Sequence, residues 1–173
     1  MNDSRERYGS LSRLFHWGMA ILIVWQGMKF FDRINDGEHW VGQTLVPWHT
    51  RIGSILLVLI VLRFFWAFIQ RNNRPIQDPA TAGLVKLGHS LLYLVTLLMP
   101  VSGILYMVGR GYGWRPFGLE IIARGPEIPW MATLGGSLHS PLAWTLLVLV
   151  VGHVGMALYH HFVKKDDVLR RML

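Results

Sequence analysis

At 173 residues the chain has room for one domain, and 52% hydrophobic residues with eight Trp is more apolar than a soluble globule of that size carries. The lack of cysteine excludes disulfides, zinc–thiolate sites and iron–sulfur clusters, and leaves histidine as the main metal ligand. A net charge of +7 raises nucleic acid as a partner, but the basic residues sit beside apolar runs rather than on one stripe, which points to a lipid bilayer and no nucleic acid.

Four apolar runs follow one another, each near the ~20 residues that a membrane-crossing helix needs. The first covers residues 14–31 (LFHWGMAILIVWQGMKFF). Arg5, Arg7 and Arg13 precede it as they would in a signal peptide, but no small-residue cleavage site follows, so a retained helix is expected. The second covers 46–69 and the third 84–108, with Pro100 inside the third predicting a kink. Residues 71–80 between them read as a polar loop, and 109–137, rich in Gly and Pro, as a longer one. The fourth run covers 138–163. The expected fold is thus an all-α membrane protein, a four-transmembrane-helix bundle forming a single domain over 1–173.

Lys and Arg set the orientation. The N-terminus (Arg5, Arg7, Arg13), the second connection (Arg63, Arg71, Arg74, Lys86) and the C-terminus (Lys164, Lys165, Arg170, Arg171) hold 11 of the 17. Lys29, Arg33, Arg51, Arg110, Arg115 and Arg124 fall on the other side. The richer side should be cytoplasmic, which puts both termini inside.

This topology assigns each histidine a depth. His49 and His139 lie at the outer level; His16, His89 and His153 lie at the inner level; His160 and His161 end the fourth span; His39 is in the first outer loop. His139 and His153 are 14 residues apart. In a helix that is about 21 Å of rise and about 40° of rotation, so they share a face, one near each membrane surface. Histidines facing each other across a bundle suit haem b, whose iron takes two axial imidazoles and whose ring suits an apolar core. The outer pair is His49 with His139. At the inner level both His16 and His89 stand opposite His153. Gly53, Gly103, Gly152 and Gly155 lie beside these positions, where Gly103 could leave room for an outer haem; small residues also pack membrane helices.

The segments SRLFHW, HTRIGSILLVLIVLRF, LGHSLLYLVTLLMPVSGILYM and LHSPLAWTLLVLVVGHVGMALYHHFVKKDDVLRRM together resemble the bacterial cytochrome b561 family, small four-helix di-haem b proteins of the inner membrane. The resemblance implies two haem b groups, one between His16 and His153 inside and one between His49 and His139 outside. It leaves His89 and His160 for a ubiquinone site on the cytoplasmic side. Some members oxidise superoxide at the periplasmic face and pass the electron to ubiquinone. Arg51, with other outer cations, is then a candidate contact for an anion or a haem propionate, and Arg13 and Lys86 are candidates for quinone or propionate. The outer segments also carry Asp32, Asp36, Glu38, Glu120 and Glu127, so their net charge is small. Two other readings compete: a cytochrome b carrier subunit fed by a partner dehydrogenase or hydrogenase, and a four-helix protein without haem.

Overall fold

The computed structural model describes residues 2–33, 38–76 and 78–173, with the backbone alone for 32 and 33. Asp36 and the side chains of Asp32 and Arg33, counted above on the outer side, lie outside the described residues. Among the described residues the regular elements are all helices, apart from one isolated antiparallel bridge between Trp114 and Ile122. The four long helices are α1 (Ser10–Gly27), α2 (His49–Ile69), α3 (Ala82–Gly109) and α4 (Pro129–Tyr159). All four, with the short turns that extend them, are long and apolar enough to cross a membrane.

Each helix packs on the next in sequence, and α3 against α4 is the most extensive of these contacts. The core lies between α1 and α2. Met19 meets a stripe of Ile52, Leu56 and Ile60, four residues apart on one face of α2, with Tyr93 and Leu97 of α3 closing over it. The outward faces are just as apolar: Leu14, Ile21 and Val24 of α1 are 60–68% exposed. Apolar residues on every side are what lipid asks of a helix.

One boundary departs from the sequence reading. The Gly-rich stretch 129–137 is not loop; it forms the first turns of α4, which starts at Pro129 with Ile128 extended before it. Gly135 explains this, because α4 crosses α3 there so closely that a Cβ would meet Tyr106 N and, at 2.6 Å, Ser102 O. The small residues serve close helix approach, not a turn. His139 therefore does not open the fourth helix; it sits ten residues inside it. Pro100 lies inside α3, which runs as one helix from Ala82 to Gly109.

Both termini and the α2–α3 connection gather at one end of the bundle. Ile76 N donates to Arg5 O (3.2 Å), Tyr8 N to Arg171 O (3.2 Å), Trp17 Nε1 to Met172 O (2.9 Å) and Arg171 Nη1 to Ile76 O (2.8 Å). This basic end is called inner below. At the opposite end, Trp114 of the α3–α4 connection donates to Ser54 Oγ on α2 (3.1 Å).

Candidate functional site

α4 packs closely on α3 but stands off from α1 and α2, and Gly135 is its one buried residue. Its histidines bridge that separation. His139 faces His49 of α2 with ring centres 5.9 Å apart. Fourteen residues on, His153 faces His16 of α1 at 6.0 Å. These spacings come within about half an ångström of an iron between two imidazoles: a metal–nitrogen bond of about 2 Å on each side, plus about 1.2 Å from each nitrogen to its ring centre, makes about 6.4 Å.

Hydrogen bonds around the outer pair favour ligation. Ser102 Oγ spends its one proton on Met99 O (2.8 Å), so its contact with His139 Nδ1 (2.9 Å) is donated by the histidine. Nε2 of His139 then keeps its lone pair, the form a metal ligand needs. Gly103 is part of the same arrangement. A Cβ there would lie 3.2 Å from His139 Cε1, so the missing side chain makes room for the imidazole itself. Gln26 anchors the facing helix by donating Nε2 to His49 O (2.9 Å).

The inner level is a cluster of three rings. His89 of α3 also faces His153, at 5.5 Å, and donates Nδ1–H to Val85 O (2.8 Å), which leaves its Nε2 lone pair free. His16 is bonded differently. Arg63 Nη2 donates to its Nδ1 (3.2 Å), and a guanidinium cannot accept. The proton of a neutral His16 is thus on Nε2, and a neutral His16 would bind iron through that atom only after its proton moved to Nδ1 and Arg63 let go of Nδ1. Arg63 was grouped with the inner anchors in the sequence. A charge within a membrane helix costs roughly 3 kcal/mol to insert, and the 14-residue spacing from His49 was the signal that it faces inward.

The remaining candidates divide. His160 Nδ1 bonds Asp166 Oδ2 at 2.6 Å across a π-helical turn, His160–Lys164, closed by a left-handed Lys165. This contact holds the Asp166 carboxyl below the usual carboxylate range. His89 and His160 share no hydrogen bond or ring contact. His161 lies beside Phe162 on an open cleft of about 320 Å³. His39 is a loop residue, tied to Phe31 O (2.9 Å) and Gly42 N (3.1 Å). Arg13 donates to Leu173 O, Arg51 lies over Trp48 (5.1 Å), and Lys86 is exposed. Two outer cations are neutralised, Arg110 by Glu127 (3.4 Å) and Arg115 by Glu120 (3.2 Å).

Residues 7–173 match the family model described as prokaryotic cytochrome b561. The chain belongs to the prokaryotic cytochrome b561 family. Cytochrome b561 homolog 2 of Escherichia coli (strain K12) is 34% identical over 99% of this chain and 93% of its own. The probable superoxide oxidase CybB of Yersinia pestis is 28% identical over 97% and 96%, and cytochrome b562 of Cereibacter sphaeroides 28% identical over 96% and 94%. As a cytochrome b561 family member the protein is a multi-pass bacterial inner-membrane protein that carries electrons through haem b. The facing histidines between α4 and its neighbours suit such a group in ligand chemistry and ring spacing.

Proposed function

We propose that the chain binds two haem b groups stacked along α4 and conducts electrons between the two faces of the membrane. His49 and His139 would hold the outer haem, and His16 and His153 the inner one. The observation that carries this is the repeat of a ring spacing near 6 Å at two levels, 14 residues apart on one helix. When bound, haem b supplies a reversible one-electron iron couple. Two imidazoles leave the iron no open position, which favours outer-sphere electron transfer over oxygen binding. The chain supplies ligands, orientation and an apolar surround.

At the inner level a second assignment has an observation behind it. His89 is near His153 and already keeps its Nε2 lone pair, so it competes with His16 as the partner ligand. The assignment of His16 rests on its 6.0 Å spacing and on the resemblance of SRLFHW to the family's first helix.

The electron donor in this reading is superoxide at the periplasmic side, and the acceptor is ubiquinone near His89 and His160. Two superoxide ions each lose one electron and leave as dioxygen; one quinone gains both electrons and two cytoplasmic protons to become quinol. Support comes from the superoxide oxidase name of the Yersinia pestis relative and from the basic inner end, which the positive-inside rule puts in the cytoplasm. With Arg110 and Arg115 paired, electrostatic steering of superoxide falls mainly to Arg51 and Arg124. Stopped-flow mixing with superoxide tests the reading: fast haem reduction followed by quinone-dependent reoxidation is expected. Slow reduction that ignores salt would instead mark a carrier fed by a partner dehydrogenase.

A further inference from the structure

We propose that Arg63 is a fixed intramembrane cation that raises the reduction potential of the inner haem above that of the outer one. This rests on the two-haem reading. Arg63 follows His49 by 14 residues on α2, the spacing of His139 and His153 on α4. It therefore stands where a ligand of the inner level would stand, about 21 Å below His49 and about 40° off its direction. At that level α2 offers a positive charge.

The side chain is turned into the protein. Its Nη2 is 3.2 Å from His16 Nδ1, its Nη1 is 3.9 Å from Met19 Sδ, and its Cζ is 5.3 Å from the Tyr93 ring centre. Met19, 1% exposed, lies almost a full turn deeper than His16. An arginine that merely snorkelled would end in solvent; this guanidinium lies among His16, Met19 and Tyr93. No carboxylate pairs with Arg63 among the described residues, so its charge is not cancelled by protein. The His16 ring that Arg63 contacts is 6.0 Å from His153, and His89 is 5.5 Å from His153, so Arg63 stands beside the inner level whichever of His16 and His89 is the ligand.

Reduction adds one electron to the iron, and the charge of the site falls by one. A nearby cation favours the reduced form, and the attraction is screened less inside the bundle than in water. Among the described residues no cation bonds His139 at the outer level, and its contacts include Ser102, Gly103 and His49. The difference drives electrons toward the end that carries both termini.

Spectroelectrochemical titration of the holo-protein in nanodiscs tests this. Arg63→Met is expected to keep two haems and to lower one midpoint by a tenfold change in its equilibrium, about 59 mV for one electron. The shifted haem should be the one that His139→Ala retains. Arg63→Lys, which keeps the charge, should stay within about threefold of wild type. Both midpoints falling together, neither falling, or Lys falling as far as Met overturns the proposal. Should Arg63→Met shed a haem, Arg63→Gln is titrated instead, and loss of that haem from Arg63→Lys as well also overturns it. Fewer than two haems in the wild type defeats the two-haem reading and this proposal with it; two haems with unshifted midpoints in Arg63→Met defeats this proposal alone.

Discussion

Ser102 on α3 receives the Nδ1 proton of His139 on α4 at 2.9 Å, while its own proton goes to Met99 O. The hydroxyl thus fixes both the tautomer and the tilt of an outer-level ring. Outer-shell partners of metal-bound histidines are worth about 10–100-fold in affinity. Ser102→Ala should weaken retention of one haem by that order and leave the other in place. Ser102→Thr, which keeps the hydroxyl, should behave as wild type. Haem content after dialysis against apomyoglobin measures both.

The two histidine levels predict separable losses. Replacing His49 or His139 by Ala should remove one haem, and replacing His153 should remove the other. His16→Ala and His89→Ala then decide the inner partner. The expected outcome is that His16→Ala loses the inner haem and His89→Ala keeps it while slowing quinone reduction. The reverse pattern would make His89 the ligand. Pyridine haemochrome stoichiometry per chain, with redox difference spectra, reads each case.

Two glycines predict different failures. A Cβ at Gly103 would press on His139 Cε1 at 3.2 Å, a contact that a small ring tilt relieves. Gly103→Ala should loosen one haem while the chain still folds. At Gly135 the obstruction is backbone, Ser102 O and Tyr106 N, which cannot give way. Gly135→Leu should part α3 from α4, the most extensive packing in the bundle, and lower thermal stability by several kcal/mol, on the scale of severe overpacking. Melting followed by circular dichroism, beside haem content, separates the two effects.

The four spans were legible because lipid demands about 20 apolar residues and tolerates little charge. The alignment of His139 with His153 was legible because helical rise and turn are fixed. The start of α4 was not, since Gly and Pro near Gly135 serve a close helix crossing in lipid and a turn in water, and composition cannot tell the two apart. The Arg63–His16 contact was hidden for a related reason. An arginine six residues from a helix end reads as an anchor, and only its 14-residue spacing from His49 points the other way. Ser102 carried no sequence signal, as a serine in a membrane helix commonly bonds its own backbone, and this one does so as well.

The His160–Asp166 contact predicts a pH response at the inner end. Asp166 has its pKa lowered, first by the hydrogen bond from His160, so the folded form holds its charge better than the unfolded chain does. Stability from such a group is present above the unfolded carboxylate value, near 3.9, and is lost as pH falls through the lower folded value. The turn at residues 160–166 should therefore keep its protection from about pH 5 to 8 and loosen only below about pH 4. Asp166→Asn removes the charge but keeps an acceptor, and should show weakened protection across the whole range. Hydrogen–deuterium exchange of peptides covering 158–173, corrected for intrinsic rates, measures this. Wild-type protection that stays unchanged down to about pH 3 would overturn the assignment to Asp166.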